Sequence, residues 1–354
     1  MIETKKLFEF SPYTFNKNEK NKYFIKGIKN LTNYHKKNCR EYRDILKKIS
    51  FTKSDKNKLM DYPFLPVKIF KDFDLKSVPN NKITKKLVSS GTTGQTPSKI
   101  YLDNENSNNQ IKALNKIMCS ILGNQRLPML IIDQNPKDSQ RSTLSARLAA
   151  IYGFSIFGKD HTYLLNKKNE IDYKTLNYFL KKNAKEKFII FGFTSIVHEN
   201  LIKKIYTKFL SHNFNNAILI HGGGWKKMEK LKISNKNFKK KLFNKFKIEN
   251  IYNYYGLVEQ TGSIFLECKC GYFVTSIFSD VLIRDEKFQL AKNGKRGLIQ
   301  LLSLLPTSYP GHNILTEDIG EIIEENKCKC GLKGKHFLVH GRAKNTETRG
   351  CSDV

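Results

Sequence analysis

From about residue 85 the chain alternates short runs rich in β-branched and aromatic residues with longer amphipathic stretches, and this alternation restricts the fold more than any other feature. Residues 86–89, 129–133, 188–191, 217–220 and 249–254 read as strands, and 106–122, 173–184, 197–211 and 237–246 read as helices between them. Such alternation predicts βαβ units, hence a mainly parallel sheet with helices on both faces. Ligands then belong in the polar and glycine-rich loops at the strand ends. Before this region, residues 21–38 and 41–49 carry apolar residues at three-and-four spacing, and Pro63, Pro66 and Pro79 break that helical pattern. After residue 262 the texture becomes short strands and turns, at 281–284, 297–303 and 321–323. The expected organisation is a helical segment over 1–80, an α/β core over 81–262 and a smaller β-rich subdomain over 263–354.

Charge enters the argument as something to be discounted. Sixty-three basic against 32 acidic side chains give a formal net charge of +31, a surplus that points to nucleic acid or an anionic surface. The lysines are spread through the whole chain, alongside abundant Asn, Ile and Phe, which is a compositional bias rather than one basic patch. The densest stretch, 226–247, holds ten lysines against Glu229 and reads as a solvated helix face. No nucleic-acid role is expected. No apolar run of about eighteen residues occurs, and Glu3, Lys5, Lys6 and Glu9 stand where a secretory leader needs an apolar stretch. A cytoplasmic protein with no transmembrane segment is the expectation, and seven cysteines, an odd number, are expected to be reduced thiols.

The strongest chemical signal is Ser89-Ser90-Gly91-Thr92-Thr93-Gly94-Gln95-Thr96-Pro97-Ser98-Lys99, placed between a predicted strand and the helix that follows. Glycines let a backbone approach a polyanion closely, successive N–H groups and hydroxyls donate to its oxygens, and a lysine adds charge. The run is therefore a phosphate cradle, although it lacks the Gly-x-x-x-x-Gly-Lys-[Ser/Thr] spacing of the Walker loop. The alternative is a flexible polar turn.

This loop resembles the phosphate-binding loop of the adenylate-forming superfamily, and further matches follow in the same order. His221-Gly222-Gly223-Gly224-Trp225 falls where that superfamily has a glycine-containing loop walling the adenine and acyl pockets. Tyr254 and Tyr255-Gly256-Leu257-Val258-Glu259 resemble the segment whose aromatic lies by adenine and whose glutamate engages the magnesium of ATP. Thr316-Glu317-Asp318 resembles a Thr-Gly-Asp whose aspartate binds the ribose hydroxyls, and Gly341-Arg342 resembles a hinge Gly-Arg whose arginine reaches the nucleotide. Within the superfamily the chain looks like the acyl-protein synthetases typified by LuxE, with phenylacetate-CoA ligase as a more distant relative. Ser-Tyr-Pro-Gly-His at 308–312 and Arg-Gly-Cys-Ser-Asp at 349–353 carry that likeness most specifically.

The resemblance implies ATP and Mg2+ as cofactors, a carboxylic acid of the fatty type as substrate, and acyl-AMP as the intermediate. Acceptors implied are Cys351 itself, an acyl-reductase or acyl carrier protein, or CoA. Cys351 matches the family's acyl-accepting cysteine, and Arg349 and Lys344 nearby could lower its pKa. Its alternative is a small buried residue. Full-length acyl-CoA synthetases continue past the hinge into a mobile domain bearing a catalytic lysine, whereas twelve residues follow Arg342 here, so that domain is expected to be truncated. Lys99 is the local candidate for the lysine's role.

Two further pairs, Cys268-x-Cys270-Gly271 and Cys328-x-Cys330-Gly331, lie 57 residues apart and offer four thiolates for one structural zinc. Relatives hold zinc here with cysteines and a histidine, which would make Cys270 the histidine's replacement. His161, His198, His212, His336 and His340 are expected to be structural, and His312 to border the site without acting in catalysis. Three readings compete: an acyl-protein synthetase, an acyl- or aryl-CoA ligase using free CoA, and a non-catalytic zinc-containing interaction protein.

Overall fold

The structure is a computed structural model and describes residues 4–49, 58–89, 96–138, 146–225 and 233–343. Two compact units result. Of the described residues, one unit combines those up to Ile121 with 256–343, and the other comprises those of Leu122–Tyr255.

The second unit is the parallel α/β body that the alternation predicts. Its strands lie in the order Gly158–Leu165, Leu127–Gln134, Phe188–Phe193, Ala217–Gly222, Asn250–Tyr255, all parallel. Helices Tyr173–Lys182 and Asn235–Phe246 and the π-helical segment Val197–Lys204 bury Leu176, Phe179, Leu201, Phe238 and Leu242 against one sheet face. The opposite face carries the alternate residues. There Phe154 of helix Ala146–Ser155 stacks on Phe191 at 4.6 Å. Chain progression reverses between Leu127–Gln134 and Phe188–Phe193, which makes the carboxyl ends of these neighbouring strands a topological switch point.

In the first unit an antiparallel sheet runs Ser279–Arg284, Gly297–Ser303, Asn313–Glu325, Lys335–Arg342, Phe273–Val274, Phe265–Glu267, with Leu65–Pro66 added in parallel to Asn313–Glu325. The β-rich texture after residue 262 thus corresponds to real strands. Helices Lys17–Asn38 and Arg40–Lys48 belong to the same unit. The first begins in a reciprocal cap: Asn16 Oδ1 accepts from the Glu19 N–H at 3.1 Å, and Glu19 returns a bond to the Asn16 N–H at 2.8 Å. Tyr42 and Leu46 join Tyr309 and Ile314 in one core.

Two departures concern the predicted elements. The phosphate loop does not lead from strand to helix. Ile83–Val88 pairs antiparallel with a further strand, Lys99–Asp103, which precedes helix Asn104–Leu122, so the strands on either side of the loop form a two-stranded sheet of their own. The predicted helix 197–211 ends early, because Ile205 leaves the winding in an extended conformation to reach the core.

Buried histidines give this fold a pH dependence. His35 and His312 are fully buried and stack at 4.9 Å, with His35 Nδ1 2.7 Å from Ser77 Oγ and His312 Nε2 3.0 Å from Thr32 Oγ1. Desolvation lowers His35 to about 3 and His312 well below its ordinary value, and it lowers His221 of the other unit to about 3. Unfolded histidine binds a proton near pH 6.5, so these groups contribute stability that is fully present above that pH and is lost as pH falls toward 3. At pH 4.5 each of His35 and His221 should cost about 3 kcal/mol of stability. Urea unfolding at pH 7.5 and 4.5 should show this loss, and His35→Gln should reduce the slope; an unchanged slope would contradict the assignment.

Candidate functional site

The glycine loop and the tyrosine segment converge within the second unit. Gly222 and Tyr254 lie opposite each other at the carboxyl ends of adjacent strands. A side chain at Gly222 would enter the Tyr254 ring, which lies 2.3 Å from where a Cβ would be. That explains glycine at this position. The ring of Tyr254 also packs on Phe154 at 4.7 Å, leaving an aromatic plane fixed beside a backbone without side chains. Gly223 follows in a left-handed conformation, with φ +74°. His221 underneath is 1% exposed, its Nδ1 2.9 Å from Thr194 Oγ1, and the Thr194 hydroxyl also reaches the Gly222 carbonyl at 3.1 Å.

In the first unit, Glu259 sits in the short turn Val258–Gln260 and is 6% exposed. Its backbone is locked from a distance. The Tyr309 hydroxyl donates to the Glu259 carbonyl at 2.9 Å, and Gln260 Nε2 donates to the carbonyls of Gly311 and Leu301 at 2.9 and 3.1 Å. Gly311 must lack a side chain, since a Cβ would fall 2.2 Å from the Tyr309 ring and 2.8 Å from the Glu259 carbonyl oxygen. The Ser-Tyr-Pro-Gly-His phrase therefore serves to hold the Glu259 turn. Gly256 opens the segment leading to that turn, with only Ile264 within contact distance of a hypothetical Cβ.

Asp318 and Arg342, 24 positions apart in sequence, face each other across two paired strands. Arg342 Nε is 3.8 Å from Asp318 Oδ1, and its terminal nitrogen is 3.3 Å from Glu317 Oε2. The Asp318 N–H donates to Thr316 Oγ1 at 3.1 Å, while the Thr316 hydroxyl donates to the Ile299 carbonyl at 2.8 Å. Two sequence motifs are thereby brought together on neighbouring interior strands of the antiparallel sheet, where Lys335–Arg342 ends.

Of the phosphate loop, Ser89 and Lys99 are described, and Ser90, Gly91, Thr92, Thr93 and Gly94 lie outside the described residues, as does Cys351. Ser89 N–H donates to the Ser98 carbonyl at 3.0 Å and Ser98 N–H to Ser89 Oγ at 2.8 Å, which ties the two ends of the loop together. Lys99 begins the return strand, and its ammonium lies 3.3 Å from Asp74 Oδ1.

The cysteine cluster differs from the sequence expectation in one member. Cys268, Cys328, Cys330 and His336 place their donor atoms within 4.8 Å of one another. Each Cys-x-Cys-Gly segment closes a turn in which the glycine N–H donates to the first cysteine's carbonyl, at 2.9 Å for Gly271 and 3.0 Å for Gly331. Cys270, after its turn, is exposed at the rim; contact with the Cys328 thiol raises its pKa. His336 takes the fourth place. Its Nδ1 is 3.2 Å from the Gly334 carbonyl, so a proton there leaves the Nε2 lone pair facing Cys330 Sγ at 3.3 Å. Three thiols and an imidazole at this spacing suit tetrahedral coordination. Sequence reasoning treated His336 as structural, although its position six residues after Cys330 was a usable signal.

The fold is similar to that of the adenylate-forming ligases. A structure of 2-hydroxyisobutyryl-CoA ligase, in an open conformation with 2-HIB-AMP and CoA, superposes with a TM-score of 0.74 at 14% identity, covering 95% of this chain and 72% of that one. A second structure of that ligase, in its thioesterification state, gives 0.71 at 14% identity, with 94% and 70% covered. The luciferase-like enzyme of the nonluminescent mealworm Zophobas morio gives 0.51 at 16% identity, with 87% and 71% covered. No curated protein matches the chain. The family model for the acyl-protein synthetase LuxE matches residues 2–354, and the chain belongs to that family. It is accordingly an ATP-dependent acyl ligase.

Proposed function

We propose that this enzyme joins a fatty acid to AMP and passes the acyl group to the thiolate of Cys351, from which a partner protein collects it. The observation that carries the nucleotide part of this reading is the pairing of Asp318 with Arg342 on adjacent strands. A carboxylate and a guanidinium side by side where a strand ends can accept from ribose hydroxyls and donate to phosphate oxygens, respectively. The Tyr254 ring fills the space beside Gly222, and Gly223 and Gly224 carry the chain past it to where a side chain at Gly224 would meet nothing within 4 Å, the room proposed for a base; Tyr255 and Gly256 continue the chain toward Glu259.

In the first step a carboxylate oxygen of the acid attacks the α-phosphorus of ATP, and the bond to pyrophosphate breaks. Charge accumulates on phosphate oxygens, where donors in place before the reaction contribute most. Ser89, Ser90, Gly91, Thr92, Thr93 and Gly94 supply hydroxyl and N–H donors for them. Glu259 would hold magnesium, which neutralises phosphate charge when bound. Its carboxylate is an oxygen ligand of the right kind, on a turn fixed by Tyr309. Asp318 and Arg342 orient the nucleoside so that the reacting atoms meet in line. In the second step the Cys351 thiolate attacks the acyl carbonyl, a carbon–sulfur bond forms, and AMP leaves with the oxygen that came from the acid.

Lys99 engages Asp74 and would act on phosphate only after exchanging that partner. A second acceptor is favoured by one specific observation: the similar 2-hydroxyisobutyryl-CoA ligase is bound to both an acyl-AMP and CoA. Acid-dependent exchange of labelled pyrophosphate into ATP, run over acids of increasing chain length, tests the first step. Exchange that rises with long-chain acids is the expected result; none with any acid would overturn the reading.

The cluster of Cys268, Cys328, Cys330 and His336 is proposed to hold structural zinc. His336→Ala and Cys328→Ser should lose the metal, whereas Cys270→Ser should keep one zinc per chain by elemental analysis. Loss of zinc in Cys270→Ser with retention in His336→Ala would restore the all-cysteine set.

A further inference from the structure

One outer layer of the second unit departs sharply from the composition of the chain. Segments 173–182, 194–209 and 235–247 cover the same sheet face, their buried side chains sharing one core. They carry three, three and six lysines against a single acid, Glu199, which is itself paired with Lys203. Twelve to one contrasts with 63 to 32 for the whole chain. The segments form one continuous surface: Asn177 Nδ2 donates to the Phe209 carbonyl at 2.8 Å, and the Tyr173 hydroxyl reaches the Lys204 carbonyl at 3.2 Å.

Aromatic rings stand among these lysines. Tyr178 is 70%, Tyr206 60%, Phe209 52% and Phe243 44% exposed. Lys208 Nζ lies 5.0 Å from the Phe209 ring and Lys247 Nζ 5.4 Å from the Phe243 ring. Along helix Asn235–Phe246, Lys236, Lys240 and Phe243 share the exposed stripe, while Phe238, Leu242 and Phe246 are buried opposite. Single exposed rings are ordinary on a protein surface, but four on one cationic layer are not scattered.

We propose that this layer docks on an anionic lipid surface. The inference stands on charge and exposure alone and goes beyond the acyl-transfer reading. Lysine is the only cation in the three segments; the arginines that read phosphate groups or bases bidentately are missing from them. Flexible lysines around aromatic rings instead match the headgroup boundary of a bilayer, where ring bodies enter and ammonium groups meet negative headgroups. Among the described residues no helix is long and apolar enough to cross a membrane, so the contact is peripheral.

The test is sedimentation with vesicles of phosphatidylcholine alone or mixed with phosphatidylglycerol. Wild type should bind only the mixed vesicles, and less as salt rises. The triple variant Lys236→Glu, Lys240→Glu, Lys247→Glu should lose at least about 100-fold in partitioning, given the contribution of each lysine near such a surface. Lys22→Glu, Lys26→Glu, Lys37→Glu alters net charge equally at exposed positions of helix Lys17–Asn38 and should stay within about threefold of wild type. Tyr206→Ser with Phe209→Ser should weaken binding without any change of charge. Equal losses in both lysine variants, equal binding to neutral vesicles, or binding to polyglutamate but to no vesicle would each overturn the proposal. The last result would point to an acidic protein instead.

Discussion

Glu259→Gln is expected to reduce acid-dependent pyrophosphate exchange by about 100- to 1,000-fold while leaving the protein folded, because it removes a charge and almost no volume. The turn that presents Glu259 is held through backbone groups, by the Tyr309 hydroxyl on its carbonyl and by Gln260 on the Gly311 and Leu301 carbonyls. The substitution keeps those backbone bonds and the volume of the side chain, whereas Glu259→Ala at this buried position would lose the volume. If the carboxylate holds magnesium, raising the metal concentration should recover part of the loss. A variant within twofold of wild type at every magnesium concentration would remove Glu259 from the mechanism.

Cys351→Ser should abolish the covalent acyl-protein, by more than about 100-fold, while pyrophosphate exchange stays at the wild-type level. A serine hydroxyl is not ionised near neutral pH, whereas a thiol beside Arg349 and Lys344 in sequence has cationic neighbours that favour the thiolate. The measurement is radiolabelled acid retained on the denatured chain and released by hydroxylamine. Label that persists in Cys351→Ser would move the acceptor to another side chain. Failure of wild type to retain label, together with soluble acyl-CoA on addition of CoA, would favour the free-CoA reading.

Much of this architecture was legible in local patterns. Residues 129–132, 188–191 and 217–220 are continuous apolar runs, as strands buried on both faces require, and the strands expected there extend a few residues further in the structure. Gly158–Leu165 shows no strand signal in the sequence because Lys159, Asp160 and His161 in its first half are polar and exposed and carry no strand periodicity. Lys99–Asp103 was hidden between a loop and a helix, and only pairing with Ile83–Val88 defines it. Asn313–Glu325 shows a strand signal only at 321–323, because Thr316-Glu317-Asp318 places polar residues in its middle, beside Arg342, and interrupts the apolar pattern.

The candidate site divides along the same line. Motif residues could be picked out one by one, since each has a distinct local phrase. Their supports could not. Tyr309 reaches Glu259 across 50 positions, and His336 joins Cys268 only after two turns and two strands have folded back. Side-chain bonds of that range depend on sheet register, which no short window of sequence contains.

The most direct test of the central claim is to follow oxygen. With a carboxylic acid labelled in both carboxylate oxygens by the heavy isotope, acyl-AMP formation followed by thiolysis must leave one labelled oxygen in AMP. Mass spectrometry of the nucleotide products should therefore show singly labelled AMP in step with thioester. Label in orthophosphate, with ADP in place of AMP, would mean an acyl-phosphate route and would contradict the account.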